Sequence, residues 1–415
     1  MEMKLNVFVQ SLVLSSLCGH VTLTRSLTVR APIIRQSVPV LPATIDVGYA
    51  GKLSQPFDQK AFAGESPESH HEILNVWSNL IHIIECAVGT PPQKFKAMLR
   101  ISQSDQYVPS VNCSTYGCDG HPRYNSSQSS TYVANGTEID LDTNVLQISG
   151  VVSQDTWRIG DLEVEDQLFT EGLEAAVRPG YWRFAFDAIL GLAPTDFAAV
   201  QRIPNAFSSM VSQKLLDRNL FSMRLATEDE PGEIIFGGVD DDLYTGELVH
   251  LPLTNETGRL VSGTWQVEAG SFSYGEDRHG ASIDLRGYTA VFDTAFPFIS
   301  LPGPIAERVM DLMGAEPIPF YLMSIPCERR DFIPDVTFNL AGHNFTMSPF
   351  EYTLPVMVAG YGLRCLSTFF PLGDVMKPDE PTEPPFIILG SAFLRGFYSV
   401  FDLDSGTVGL AKPRY

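Results

Sequence analysis

Residues 89–110 read GTPPQKFKAMLRISQSDQYVPS, and this stretch decides the fold. It places Arg100 in a short polar loop between two apolar segments. Later in the chain, residues 290–297 read AVFDTAFP and place Asp293 at the corresponding point. Each loop is followed by two apolar residues and a glycine, ILG at 189–191 and ILG at 388–390. This pattern occurs once in each half of the chain and therefore predicts two homologous lobes.

The stretch at 89–110 resembles the pepsin family of aspartic endopeptidases. That family has a G-T-P-x-Q turn, an apolar strand, a D-T-G-S loop and a W/Y-V-P-S segment. The residues that match without a gap are Gly89, Thr90, Pro91, Gln93, Phe95, Tyr107, Val108, Pro109 and Ser110. The D-T-G-S position holds RISQ at 100–103, whereas the second loop keeps Asp293. The resemblance extends over residues 80–415 and includes closing strands at 399–413.

The fold that this resemblance implies is all-β: a bilobal pepsin-like acid protease fold, with two homologous β-barrel lobes and a cleft between them. The 415 residues are enough for two large lobes. The 33 glycines and 29 prolines, with short β-branched and aromatic runs, also favour a mostly-β architecture. We expect the N-terminal lobe at 76–248 and the C-terminal lobe at 249–415.

Charge and composition restrict the partners. The net charge of −21 disfavours binding to nucleic acid or to an anionic membrane. Beyond the N-terminus, no apolar run is long enough to span a bilayer, so we expect no membrane span. No C-x-x-C motif or histidine cluster predicts a metal site, and no cofactor is expected. We expect a monomer.

The N-terminus has the pattern of a secretory signal peptide, predicted at 1–19. The apolar stretch LNVFVQSLVLSSLCG is too short and too often interrupted to span a membrane. Residues 20–75 have three interpretations: a shortened prosegment, an N-terminal strand, or a disordered leader. The predicted location is extracellular, after secretion, with a vacuolar or lysosome-like lumen as the alternative.

The cysteines and glycosylation sequons fit a secreted glycoprotein. The resemblance implies one disulfide in each half, Cys113–Cys118 and Cys327–Cys365. Cys86 is left over in an apolar strand and is expected to be a buried small hydrophobic residue. Five asparagines begin N-x-S/T sequons and are predicted glycosylation sites: Asn112, Asn125, Asn135, Asn255 and Asn344.

The two loops carry the chemistry that the resemblance implies. Peptide hydrolysis in this family needs two neighbouring carboxylates that share one proton and hold a water between them. Asp293 is the surviving catalytic residue of this pair, and Arg100 occupies the partner position. Arginine does not deprotonate in proteins, so it cannot accept the proton of the water. We expect Arg100 to form an ion pair with Asp293 at the floor of the cleft.

The positions that support the pair also depart from the family pattern. In the family, a threonine after each aspartate reaches the backbone of the opposite loop. Thr294 is kept, but its counterpart Ile101 has no hydroxyl. The position three residues after each aspartate normally offers a hydroxyl to the carboxylate. Here that position holds Gln103 in the first loop and Phe296 in the second.

Residues 141–150, LDTNVLQISG, match the hairpin that covers the cleft in this family. A tyrosine of that hairpin normally bonds near the first aspartate, but Thr143 stands in its position and Asn144 follows in a glycine position. We predict that Thr143 and Thr294 are substrate-binding residues.

Two main functions are consistent with these residues. The first is a secreted pepsin-family aspartic peptidase homologue that is a catalytically impaired pseudoprotease and keeps a cleft for an extended peptide or protein. The alternative is an active aspartic-type endopeptidase that hydrolyses peptide bonds at acidic pH. A third function, a storage or structural protein on the same scaffold, also fits the sequence.

Overall fold

The computed structural model describes residues 29–34, 40–41, 81–143, 146–177, 186–194, 203–227, 232–254, 263–275, 281–318, 322–358, 360–372 and 385–415. The predicted signal peptide at 1–19 and most of 20–75 lie outside these ranges. Within them, strands dominate and helices are few and short, so the predicted all-β class is confirmed. None of the described helices is long and apolar enough to cross a membrane.

The strands before residue 255 are β1 (Val29–Ile34), β2 (Val40–Leu41), β3 (Ile83–Val88), β4 (Gln93–Arg100), β5 (Gln106–Pro109), β6 (Val133–Asp142), β7 (Leu146–Ile159), β8 (Leu162–Val177), β9 (Ala188–Gly191), β10 (Leu220–Arg224), β11 (Gly232–Phe236) and β12 (Tyr244–Pro252). One α-helix, α1 (Ala206–Ser212), lies among them.

The later strands are β13 (Gln266–Tyr274), β14 (Ala281–Phe292), β15 (Ile299–Pro302), β16 (Glu316–Ile318), β17 (Leu322–Pro326), β18 (Val336–Leu340), β19 (His343–Met347), β20 (Thr353–Val358), β21 (Gly362–Ser367), β22 (Phe369–Leu372), β23 (Phe386–Leu389), β24 (Tyr398–Asp402) and β25 (Thr407–Pro413). The helices here are α2 (Gly303–Met313), α3 (Pro349–Tyr352) and α4 (Ser391–Leu394).

Six strands of the N-terminal half close into a barrel, in the order β3, β4, β9, β5, β8 and β7, with β7 pairing back to β3. Strand β6 pairs with β7 outside this ring. Near its end Leu141 is buried and Asp142 is exposed, the period-two alternation of a strand with one buried face. At the described ends of the β6–β7 hairpin, Thr143 pairs with Leu146, and these two residues are the hairpin tip that reaches the candidate site.

A sheet of thirteen strands continues from the barrel and contains both ends of the described chain. Strand β1 lies between β11 and β3, and Val29, Ala31 and Ile33 are buried there. Of the three interpretations of residues 20–75, strand formation is therefore found at 29–34. At the other end of the sheet, β24 and β25 lie between β10 and β12.

The predicted lobe boundary between residues 248 and 249 falls inside β12. This strand pairs with β25 from the end of the chain, so the sheet continues across the boundary. Because the last strands of the C-terminal half complete a sheet of the N-terminal half, the two halves of the sequence are not separate in space. The division at 248/249 stays a prediction.

The C-terminal half contains two sheets, ordered β19-β18-β13-β14-β23-β15-β22 and β16-β17-β21-β20-β2. Just before β13, the ring of Trp265 packs against Phe221 and Phe401, with centroids 5.8 and 5.3 Å away. The Trp265 indole Nε1 donates a hydrogen bond to the Leu192 carbonyl at 2.9 Å. This buried aromatic cluster joins strands of both halves to the segment that follows β9.

The structure confirms both predicted disulfides, Cys113–Cys118 and Cys327–Cys365. Cys86 is a buried free thiol, as expected, and burial raises its pKa to about 12. Among the predicted glycosylation sites, Asn112, Asn135 and Asn344 are exposed, Asn125 is half-buried, and Asn255 lies outside the described residues. Glycosylation itself stays a prediction.

Candidate functional site

Two loops built in the same way face each other. In the N-terminal half, β4 ends at Arg100 and lies parallel to β9, with Arg100 opposite Gly191. The chain then turns through 101–105 and returns as β5, antiparallel to β9. In the C-terminal half, β14 ends just before Asp293, and β23 lies parallel to β14 and antiparallel to β15. The repeat seen in the sequence therefore corresponds to a repeated strand arrangement.

Each loop passes very close to the glycine that ends its apolar–apolar–glycine run. A Cβ atom at Gly191 would lie 2.6 Å from the Gln103 carbonyl oxygen, and one at Gly390 would lie 2.1 Å from the Phe298 carbonyl oxygen. Backbone atoms cannot move aside as the end of a flexible side chain can. Only glycine fits at both positions, which explains why both halves carry it.

Thr294 links the two loops. Its side chain is fully buried, and its Oγ1 donates to the Leu99 carbonyl at 2.6 Å and accepts from the Ile101 amide at 3.2 Å. One hydroxyl therefore satisfies both a donor and an acceptor of the opposite loop. Ile101 has no hydroxyl with which to form the reciprocal link.

Replacing Thr294 by valine is expected to lower the free energy of unfolding by about 2–4 kcal/mol. Valine has nearly the same shape, but it leaves the Leu99 carbonyl and the Ile101 amide buried without their partner. Chemical denaturation followed by tryptophan fluorescence measures the loss. Thr289→Val is the matched control, because the buried Thr289 Oγ1 has no hydrogen-bond partner. Equal effects of the two substitutions would contradict the linking role.

Arg100 does not form the predicted ion pair. Its side chain is 3% exposed, and its Nη1 donates to the Thr143 carbonyl at 3.1 Å. Arg100 and Asp293 are both described by the structure, but their charged groups make no direct contact. Asp293 Oδ1 accepts instead from the Ala295 amide at 2.8 Å. The expectation was wrong because the long arginine side chain extends to the hairpin tip, where a buried carbonyl accepts its hydrogen bond.

Three carboxylates nevertheless surround the charge of Arg100. Burial lowers the pKa of Arg100, and the negative charges of Asp293, Asp105 and Asp142 act in the opposite direction. Asp105 is itself only 4% exposed; burial raises its pKa, and the charge of Arg100 lowers it. Asp105 was not identified from the sequence, although an acidic residue directly before a buried strand was an available signal.

In the part of the chain that the structure describes, no side chain donates a hydrogen bond to the carboxylate of Asp293. The Ala295 amide is its one hydrogen-bond donor among the described residues. Phe296 packs against the ring of Phe298, with centroids 6.2 Å apart, and the Oε1 of Gln103 is buried without a partner. The two loops thus present one carboxylate, that of Asp293, and one guanidinium, that of Arg100.

The hairpin tip is closed by Thr143. Its Oγ1 donates to the Leu146 carbonyl and accepts from the Leu146 amide, both at 3.0 Å. Asn144 lies outside the described residues. The hydroxyls of Thr143 and Thr294 are both buried and paired with backbone groups, so contact with a substrate would require these bonds to break. Their substrate-binding role stays a prediction.

Comparisons with known proteins agree with this architecture. A family profile described as eukaryotic aspartyl protease matches residues 82–413. Vacuolar protease A of Neurospora crassa is 37% identical over 396 residues, which cover 93% of each chain. Vacuolar protease A of Aspergillus fumigatus is 40% identical over 355 residues, 83% of this chain and 82% of the relative. Human cathepsin D is 33% identical over 359 residues, 82% of each chain. With its pepsin-like fold, this chain belongs to the eukaryotic aspartyl protease family.

Proposed function

We propose that this protein binds an extended peptide or protein segment in the cleft between its halves, and that it does not hydrolyse peptide bonds by the two-carboxylate mechanism. The observation that carries the proposal is Arg100, which ends β4 at the position equivalent to Asp293. A permanently protonated guanidinium cannot act as the general base that the missing carboxylate would supply. Asp293 alone provides one acid–base group where the mechanism uses two.

A second candidate is an active acid endopeptidase. It is favoured by the relatives, whose names are vacuolar protease A and cathepsin D, and by their identity over nearly the whole chain. Asp293 and the link made by Thr294 are also retained. Under this candidate, the second catalytic group would not be an aspartate at position 100, and Asp293 would act together with another group.

We propose a vacuolar or lysosome-like lumen as the location, in preference to the extracellular space. The names of the vacuolar relatives support it. The two disulfides support a compartment that permits oxidation. A monomer remains our proposal for the assembly.

The test of catalysis compares the wild type with Asp293→Asn on an unfolded, fluorescently labelled casein between about pH 2 and 6. We expect the two proteins to give the same background rate, because Asp293 has no partner with which to activate water. Asp284→Asn is the control for the substitution, since Asp284 is exposed. Turnover by the wild type well above that of Asp293→Asn would establish the second candidate.

Binding in the cleft is tested by photo-crosslinking to the same casein. A benzophenone amino acid in place of the half-exposed Phe296, beside Asp293, is expected to capture it. The same group at Phe332, which is 84% exposed and outside both loops, is the control. Equal capture at the two positions would contradict binding in the cleft.

A further inference from the structure

We propose that Arg100 is a latch that holds the tip of the β6–β7 hairpin, at Thr143 and Leu146, against the end of β4, so that the tip moves away from the cleft more easily when the bond from Arg100 to Thr143 breaks. The inference deepens the proposed function, because it concerns access to the same cleft. It assigns Arg100 a positioning role that no aspartate could fill.

Among the described residues, the buried guanidinium of Arg100 donates its hydrogen bond to the β6–β7 hairpin. The bond from Nη1 to the Thr143 carbonyl, 3.1 Å long, is the one hydrogen bond of the Arg100 side chain among the described residues, and Nε is buried without a partner. Both residues are shielded from water, at 3% and 0% exposure. A bond from a charged donor in such a place is stronger than one at the surface.

The bond acts on the whole tip because Thr143 is itself tied to the second strand of the hairpin. Its amide donates to the Leu146 carbonyl at 2.9 Å, and its hydroxyl also bonds Leu146. Movement of the tip away from β4 must therefore break the bond to Arg100 or the bonds between Thr143 and Leu146. The length of arginine matters, since the side chain crosses from the end of β4 to a different strand pair.

Of the three carboxylates whose charges act on Arg100, the one on the hairpin, Asp142, reinforces the latch. Asp142 ends β6 beside the tip, Asp105 precedes β5, and Asp293 follows β14 in the opposite half; all three attract the guanidinium. Opening the hairpin separates Arg100 from Asp142, whereas Asp105 stays on the same loop as Arg100. The latch therefore has an electrostatic part in addition to the bond to Thr143.

Apolar packing also holds the hairpin, and it limits how far the latch alone controls opening. Leu141, Leu146 and Ile148 are buried in a cluster with Met98 and Tyr107. We therefore expect loss of the latch to loosen the tip without detaching the base of the hairpin. Loss of one buried, charged hydrogen bond corresponds to about a 10- to 100-fold increase in the opening of the tip.

Hydrogen–deuterium exchange of the full-length protein, without any ligand, tests the latch. Peptides that cover 139–150 report on the tip amides of Thr143 and Leu146. Arg100→Met keeps the bulk of the side chain and removes its donors, and exchange at the tip is expected to rise about 10- to 100-fold. Arg100→Lys keeps the charge without the planar fork and is expected to give a smaller rise. The β18–β19 hairpin, which lies in a different sheet from β4 and Arg100, serves as the internal reference.

The remaining outcomes are also decisive. If Arg100→Met speeds exchange in both hairpins, the substitution has loosened the whole fold. The measurement is then repeated with Arg100→Met/Asp105→Asn, in which the buried carboxylate that Arg100 balanced has also been removed. Unchanged exchange at 139–150 in every variant that preserves the reference hairpin would overturn the latch. The exchange experiment contains no peptide ligand, so it is independent of the crosslinking experiment. Failure of casein crosslinking would reject the proposed function and leave the latch standing. Unchanged exchange would reject the latch and leave the proposed function standing.

Discussion

The double substitution Arg100→Asp/Asp105→Asn is expected to raise acid proteolysis above that of the wild type, with a gain of about 100-fold or more in turnover of labelled casein near pH 4. The substitution at position 100 restores two facing carboxylates, which can share a proton and divide the roles of acid and base. The second substitution is needed because Asp105 is buried and the positive charge of Arg100 stabilises its carboxylate. Arg100→Asp removes that positive charge, and Asp105→Asn removes the carboxylate that depended on it.

The single substitution Arg100→Asp is the informative control for this gain. It places a second carboxylate near the buried Asp105 and removes the positive charge that offsets it. We expect less folded protein and lower turnover than in the double variant. Both variants should stay below vacuolar protease A of A. fumigatus assayed in parallel, because Gln103 and Phe296 offer no hydroxyl to the new pair.

Two results would contradict this account. Absence of any gain in a folded Arg100→Asp/Asp105→Asn variant would show that the missing carboxylate is not what prevents hydrolysis. Equal turnover of the single and double variants would show that Arg100 does not balance Asp105. Asp293→Asn added to the double variant should abolish the gain, which links the new activity to the pair.

Arg100→Met is expected to lower the free energy of unfolding by about 2–4 kcal/mol, and by more at neutral than at acidic pH. The loss combines the hydrogen bond to Thr143 with the unbalanced charge of Asp105. Methionine fills a similar volume, so a cavity contributes little. Chemical denaturation at a series of pH values measures both the size of the loss and its slope.

The sign of the slope follows from Asp105. Burial already raises its folded-state pKa above the ordinary value of 3.8, and removal of Arg100 takes away the charge that opposes this rise. Above 3.8 the folded state therefore holds a proton that the unfolded state has lost. Stability is highest below that pH and falls as the pH rises through the folded-state pKa. The fall should be steeper in Arg100→Met than in the wild type.

Two variants control this measurement. Arg100→Met/Asp105→Asn should lose the additional slope while keeping the loss of the bond to Thr143. Arg286→Met removes an exposed arginine whose carboxylate partner, Asp284, is also exposed, and it should change stability little at any pH. An identical pH dependence in the wild type and in Arg100→Met would show that Arg100 does not stabilise ionised Asp105.

Much of the fold could be predicted from short sequence motifs that occur once in each half of the chain. The loops around Arg100 and Asp293 and their paired glycines predicted two equivalent strand arrangements, and the structure contains both. The role of Thr294 as a link was implied by the resemblance to the pepsin family, in which a threonine after each aspartate reaches the backbone of the opposite loop. Such features depend on short stretches of sequence whose geometry is almost fixed.

The partners of Arg100 were not predictable in this way. The direction of a long side chain depends on what lies within its reach, and here that is the Thr143 carbonyl, 43 residues away in sequence. Asp105 directly precedes an apolar strand, which was a signal for its burial, but its place in a polar loop leaves its contact with Arg100 open until the packing of the loop is known. The insertion of β1 between β11 and β3 also depends on distant strands that a local pattern cannot reveal.

The position of β24 and β25 has a consequence for how the polypeptide is made. Strand β10 has β24 as its neighbour on one side, and β12 pairs with β25. During synthesis, these edges of both earlier strands have no partner until β24 and β25 have been made. Such unpaired edges invite pairing with other chains, and contacts of this sequence separation form slowly. We therefore expect chains that lack β24 and β25 to expose both edges and to associate with one another more readily than the full chain.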